Sequence, residues 1–370
     1  MTATYPRFHR RQQGYALSLD TQTVCSFDAE GRPIWIWRAG TGYQRGLSGQ
    51  TLAKTRDPQG HKRRRLLEPD ERLALWHWLH EIFATRPEIP PLLRAWTPAR
   101  LEAAVADFAS VYRPISILPP DQYHAIVLQA AEGCSWNRCS FCNFYKDRRF
   151  RIKDSAEFAQ HVQAVKVWLG RAADSRRSLF LADGDALMIP QARLRALLAQ
   201  ARAVFPGRPW YSFMDAFRPE AKSVHDYAEL THHGLKRVYL GLETGHAPLL
   251  KLLNKPGTPA QMRAEILRLK AAGLQVGLIL MTGIGGQEMV AAHLRDSLEL
   301  LADLPLERQE LIYLSELVPH PDQPYARLAQ DAGLTPLSAE AHSLQVQAFL
   351  TALKASGAQV APYHLLEYVY

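Results

Sequence analysis

The chain has 370 residues, of which 47% are hydrophobic and 22% charged, with a net charge of +8. These fractions are ordinary for a globular protein and exclude a disordered chain, and the length suits one large α/β domain with a smaller companion. The charge is unevenly placed: residues 1–66 hold twelve Lys or Arg against four Asp or Glu, so the remaining residues sum to zero.

Met1 to Gln12 is polar and basic without an apolar core, so no secretory signal is expected. Tyr15 to Phe27 alternates apolar and polar residues, Asp28-Ala29-Glu30-Gly31 is turn chemistry, and Pro33 to Trp37 alternates again. This spacing predicts a β-hairpin. Asp70 to Phe83 is apolar at helical intervals, and Thr97-Pro98 caps and opens a helix running to about Val111. Pro114 to Pro120 reads as a linker. The expected organisation is a basic N-terminal part over 1–118, a core over 119–320, and a helical and aromatic extension over 321–370.

Beyond the linker, candidate strands alternate with helical segments, the pattern of a parallel sheet built from βαβ units. The strands are Ala125 to Gln129, Ser178 to Ala182, Trp210 to Met214, Arg237 to Leu242, Gln275 to Met281 and Glu310 to Leu314. Helices are expected at roughly Ser155 to Leu169, Gln191 to Phe205, Ser223 to His233, Ala260 to Ala272 and Val290 to Leu304. Periodicity leaves a doubly wound sheet and an incomplete barrel both open, and either binds ligands at the carboxyl ends of its strands. The longest apolar stretch, Leu274 to Ile284, is too short to span a bilayer, so no membrane partner is expected. Gln359 to Tyr370 is aromatic-rich and suited to closing the open side of the sheet.

Three of the four cysteines, Cys134, Cys139 and Cys142, lie within nine residues after the first strand. Electron-transfer clusters ordinarily take four cysteine ligands, so a loop with three suggests an iron left open for another ligand. Few, clustered cysteines also fit a reducing, cytoplasmic setting. The later strand ends carry Asp183-Gly184-Asp185, then Ser212 and Asp215, then Glu243-Thr244-Gly245, then Thr282-Gly283-Ile284-Gly285-Gly286. Polar and glycine chemistry thus converges on one face.

Over about residues 122–319 the chain resembles the radical S-adenosylmethionine (radical SAM) superfamily. The superfamily's usual spacing is Cys-x3-Cys-x2-Cys; here it is Cys134-x4-Cys139-x2-Cys142. Leu181 to Leu187 and Val238 to Gly245 look like a broad group of iron-sulfur oxidoreductases within it. The resemblance implies an incomplete (βα)6 barrel with a small N-terminal α+β appendage. It implies a 4Fe–4S cluster on the three cysteines, S-adenosylmethionine on the open iron, and an external donor of the flavodoxin or ferredoxin type. Cleavage of the sulfonium would give a 5'-deoxyadenosyl radical that takes hydrogen from an unidentified substrate. By position, Gly184 and Asp185 would hold the methionyl ammonium, and Ser212 and Glu243 the ribose hydroxyls. Gly283 and Ile284, with Phe141, would meet the adenine.

Each assignment has a plainer counterpart. The three cysteines are also a ligand set for structural zinc, with a histidine or Cys25 as fourth, in a protein whose basic N-terminal segment binds nucleic acid. A hybrid would bring RNA to the radical site through that segment. Glu243 is placed to cap the helix near Ala247, and Asp183 or Asp185 the helix near Pro190. Cys25 reads as a small core residue. His320 is placed to contact substrate, whereas Tyr211, Tyr239 and Tyr313 either line the pocket or pack under it.

Overall fold

The structure is a computed structural model that describes residues 5–217, 222–320 and 323–370. The first four residues of the leading basic stretch and Pro321 lie outside the described residues. The chain divides into two units, one comprising Met1–Ile115, Gln163–Arg177 and Leu366–Tyr370, the other Ser116–Val162 and Ser178–Leu365.

The first unit is built on a seven-stranded antiparallel sheet whose strands follow one another in chain order. The expected hairpin is corrected to three strands, Gly14–Ser18, Thr23–Phe27 and Pro33–Arg38: Tyr15 to Phe27 is not one strand, because Asp20 accepts from the Gln22 amide and turns the chain back on itself. Asp28 Oδ1 accepts from the Glu30 and Arg32 amides at 2.9 Å, which closes the turn. The sequence reading stopped short of four further strands, Arg7–Arg11, Thr41–Arg45, Thr51–Arg56 and Lys62–Leu66. Polar, basic strands give little alternation to read. The run Lys62-Arg63-Arg64-Arg65 is therefore an edge strand, as is Arg7–Arg11. Charge on both edges discourages further strand pairing. On one face Leu17, Cys25, Phe27 and Ile36 pack with Trp76, Leu79 and Phe83 of the helix Pro69–Ala84. Burial pushes the Cys25 thiol up to about 12, in keeping with a core role. Thr97 caps the helix Pro98–Val111 by accepting from the Arg100 amide.

The second unit holds seven parallel strands: Ile126–Gln129, Leu179–Ala182, Trp210–Met214, Leu235–Glu243, Gln275–Thr282, Leu311–Glu316 and Gln359–Tyr363. They too lie in chain order, so the winding never reverses. A doubly wound sheet needs such a reversal, and its absence from this sheet selects the open barrel. The expected count of six is corrected to seven, because the aromatic tail supplies Gln359–Tyr363, paired with the sixth strand. The segment Ser178–Leu365 groups in this unit and Leu366–Tyr370 in the first.

Below the first strand, Asp121 accepts from Arg237 Nη1 at 2.8 Å, Tyr239 Oη at 2.6 Å and Tyr313 Oη at 2.8 Å. These tyrosines fill the amino end of the barrel. The Tyr239 ring needs Gly277 beside it, since a Cβ there would sit 2.3 Å from the ring. Depth at the amino end leaves the carboxyl end for ligands. No described helix is long and apolar enough to cross a membrane.

Candidate cofactor site

The first strand ends at Gln129, and a two-residue ribbon, Ala131–Glu132 against Arg151–Ile152, closes the base of the cysteine loop. The loop is tied down along its length. The Ser140 amide and hydroxyl donate to the Leu253 and Leu252 carbonyls at 2.9 Å, and Trp136 Nε1 donates to the Asn254 carbonyl at 2.8 Å. Asn254 Nδ2 returns a bond to the Arg138 carbonyl at 2.8 Å. The Asn137 amide points at Cys134 Sγ at 3.4 Å, and Asn137 Nδ2 donates to the Tyr145 carbonyl at 2.8 Å.

Asp183 serves this loop. Its carboxylate accepts from the Gly133 amide at 2.9 Å and Gln129 Nε2 at 3.0 Å, and lies 3.4 Å from Arg148 Nη1. Gly184 follows, and a Cβ there would sit 2.8 Å from the Tyr145 ring and 3.3 Å from Cys134 Cβ. Only glycine lets the second strand's end lie this close to the cysteine loop. Asp185 is fully buried, with Ser135 Oγ 3.3 Å from its carboxylate. Neither acid caps the helix Gln191–Val204, whose N-cap is Pro190, although Asp185 is the N-cap residue of the short 3-10 turn Ala186–Met188.

Glu243 ends the fourth strand in the left-handed region, at φ 59°. Its carboxylate does not cap the helix Ala247–Leu252, whose N-cap is His246. It turns instead toward Lys255, with Nζ 3.4 Å from Glu243 Oε1 and 3.1 Å from Asp215 Oδ2. All three side chains are nearly sealed from solvent, at 8%, 8% and 13% exposure. Burial pushes the Glu243 carboxyl up, with Lys255 opposing. Burial also works against the Lys255 charge, but Asp215, Glu243 and Cys139 outweigh it and hold the ammonium well above the ordinary lysine value. Lys255 acts electrostatically on all three loop thiols, which burial pushes up, Cys139 to about 12.

The turn after Glu243 is fixed from behind. Thr244 Oγ1 lies 2.7 Å from His293 Nδ1, His293 Nε2 lies 2.9 Å from the Met281 carbonyl, and the Gly245 amide donates to Ser297 Oγ at 2.8 Å. Burial lowers the His293 imidazole to about 4, so it is neutral.

The remaining expected residues divide. Ser212 is fully buried and donates to the Leu181 carbonyl at 2.9 Å, so its hydroxyl serves the sheet; Asp215 is the third-strand residue that reaches the Lys255 cluster. Phe141 and Ile284 do come together, in a cluster with Leu249, Leu253, Met281 and Tyr325. Ile284 is sealed inside that cluster, whereas Gly283, at φ 79°, lines an adjoining cavity of about 640 Å³. Glu316, Leu317, His320, Tyr325 and His342 line it too. Lys255 is the residue that the sequence reading missed. Its signal was a lysine placed between the helical end Leu252-Leu253 and the breaker Pro256-Gly257.

Among the described residues, no three His, Cys, Asp or Glu side chains are arranged as ligands of one metal ion. A 4Fe–4S cluster takes each thiolate on a different iron, and three thiols on one tethered loop beside a buried ammonium suit such an anionic group.

Residues 128–301 match the family model described as the Radical SAM superfamily. Over this region, a little under half of its length, the chain is similar to the radical SAM superfamily. Enzymes of the radical SAM family use a 4Fe–4S cluster and S-adenosylmethionine. Among solved structures, the chain is similar to coproporphyrinogen III oxidase from Escherichia coli, described as a radical SAM enzyme, at 15% identity and a TM-score of 0.49, over 64% of this chain and 54% of that one. It thus spans about half the length of that protein. It is also similar to methylornithine synthase, at 13% identity, TM-score 0.44, over 69% of this chain and 74% of that one. A third likeness is to a maturase of the [FeFe]-hydrogenase, at 16% identity, TM-score 0.43, over 70% and 58% of the two chains. No curated protein sequence matches the chain.

Proposed function

We propose that this protein is a cytoplasmic radical SAM enzyme that holds a 4Fe–4S cluster on Cys134, Cys139 and Cys142 and S-adenosylmethionine beside it. The observation that carries the reading is the buried Asp215–Lys255–Glu243 cluster at the strand ends facing the three thiols. Bound there, the pair of cofactors supplies reductive cleavage of the sulfonium to methionine and a 5'-deoxyadenosyl radical, which abstracts hydrogen from the substrate.

The protein's own groups bind and orient. The main chain at Gly184 approaches closely, and the buried Asp185 carboxylate accepts from the methionyl ammonium. Lys255 offers its ammonium to the methionyl carboxylate. Glu243, held by the Thr244–His293 turn, accepts from the ribose hydroxyls. Gly283 admits the adenine edge beside Phe141. Substrate occupies the 640 Å³ cavity, whose mostly apolar wall excludes water and whose Glu316 lies 3.7 Å from His342 Nδ1.

For the N-terminal unit, one observation favours contact with a polyanion such as RNA. On the sheet face opposite the helices, Trp37 is exposed and Trp35 lies flat across Gly42, with Lys54 Nζ 5.8 Å from its centroid. Stacking surfaces with a basic border suit single-stranded nucleic acid.

The test is anaerobic purification with metal analysis, followed by reduction with dithionite in the presence of S-adenosylmethionine. About four irons per chain and formation of 5'-deoxyadenosine are expected. One zinc and no iron would sink the reading.

A further inference from the structure

The cavity beside Gly283 holds one acid and no permanent cation. Among the described residues lining it, Glu316 is the one carboxylate and no Lys or Arg occurs, while Leu317, Ala326, Ala329, Leu334 and Leu337 make much of the wall apolar. Glu316 ends the sixth strand, with its side chain 48% exposed. Two imidazoles bracket the carboxylate without bonding to it: His342 Nδ1 lies 3.7 Å from Oε1 and His364 Nδ1 lies 3.7 Å from Oε2, longer than a hydrogen bond. Among the described residues, none donates a hydrogen bond to either oxygen. The wall that carries His342 is held in place. His342 Nε2 lies 2.9 Å from Thr282 Oγ1, and Gln345, one turn along the helix Ala339–Leu353, accepts from the Gly283 amide at 2.8 Å. Tyr325 Oη, also on the cavity wall, accepts from the Gly285 amide at 2.7 Å. The space around the carboxylate is therefore preorganised.

We propose that the substrate taken by this cavity is a small amine, its apolar body against the wall and its protonated nitrogen on Glu316. The proposal deepens the substrate reading above and rests on it. An ammonium supplies the donors that Glu316 lacks, in a charge-assisted hydrogen bond at the edge of an apolar space. An anionic substrate meets the opposite situation, bringing like charge to Glu316 and finding no Lys or Arg along the described wall. A neutral apolar substrate fills the space but takes water from the carboxylate without replacing its hydrogen bonds, which costs affinity. Glu243 and Asp215 differ from Glu316 in this respect, because their carboxylates already face Lys255. A carboxylate without a countercharge selects the charge of what it binds.

The experiment measures binding of three probes that share one apolar body, 3-phenylpropylamine, 3-phenylpropan-1-ol and 3-phenylpropanoate, to the anaerobic holoenzyme by NMR titration. Wild type binds the amine about tenfold or more tightly than the alcohol, the worth of one charge-assisted hydrogen bond, and binds the carboxylate most weakly. Glu316→Gln keeps the native fold by circular dichroism and brings amine and alcohol to similar affinity. Ala326→Trp, which fills the cavity from an exposed wall position, weakens the amine by a similar factor and so places the probe. Equal affinity for amine and alcohol in wild type, tighter binding of the carboxylate, or failure of all three probes to bind overturns the proposal. An amine preference that survives Glu316→Gln, or amine affinity unmoved by Ala326→Trp, overturns it too. Wild type that shows the amine preference but holds no iron, or makes no 5'-deoxyadenosine with dithionite, refutes the underlying enzyme reading and leaves the amine site standing.

Discussion

Replacing Lys255 with methionine removes the ammonium that lies against both Asp215 and Glu243. Both contacts are short, 3.1 and 3.4 Å, and all three groups are nearly sealed from water. Methionine keeps the length of the side chain, so packing changes little and the loss is electrostatic. Removing one partner from a buried ion pair costs about 3–5 kcal/mol, because the charge left behind stays buried with that countercharge gone. For a domain of this size the lower figure corresponds to a drop of roughly 6–12 °C in Tm. The assay is thermal unfolding of the anaerobically reconstituted protein, paired with equilibrium dialysis of S-adenosylmethionine. Adding Asp215→Asn and Glu243→Gln to Lys255→Met removes the charge left behind and returns most of the lost stability, while cofactor affinity stays low because the cationic partner for the methionyl carboxylate is gone. A single Lys255→Met variant that loses less than about 1 kcal/mol, the worth of an exposed pair, would refute the buried-cluster argument.

Gly184→Ala places a methyl group 2.8 Å from the Tyr145 ring and 3.3 Å from Cys134 Cβ, so iron content per chain falls while circular dichroism stays native. His293 is neutral in the fold at about 4 and titrates near 6.5 when unfolded, so its contribution is fully present above pH 6.5 and lost as pH falls toward 4. That loss is roughly 3 kcal/mol in urea unfolding midpoints, and the His293→Gln variant lacks this pH dependence. Cys25→Ser buries a hydroxyl in an apolar core and lowers stability by about 1–3 kcal/mol with iron content unchanged, whereas Cys139→Ser loses iron.

Much of the barrel was legible because its signals are local. Five helices and six strands followed from apolar runs bounded by Gly, Pro and capping residues, and Ser155–Leu169 and Trp210–Met214 match their expected bounds. The edge strand Lys62–Leu66 was not legible, since a run of arginines has no apolar face to show its period. Its charges read as a free basic patch until folding brought partners: Arg63 with Asp57 at 3.0 Å, Arg64 with Glu367 at 2.8 Å and Arg65 with Glu71 at 2.6 Å. Glu367 lies 303 residues from Arg64. No local pattern carries such a pairing. Ser212 carries a contact of the same long-range kind: its hydroxyl donates to the Leu181 carbonyl on the neighbouring strand.

The sequence by itself determined the three-cysteine loop, its place after the first strand, and the acids and glycines at later strand ends, because each lies within a few residues of its structural cue. Only the tertiary structure decided three further points. The strand order is one that does not reverse, the tail becomes a seventh strand, and Asp215, Glu243 and Lys255 meet beside the thiols. The physical reason is the same in each case. A strand's neighbour and a charge's partner are set by which burial and pairing the whole chain satisfies together, and segments far apart in sequence carry no local trace of that choice.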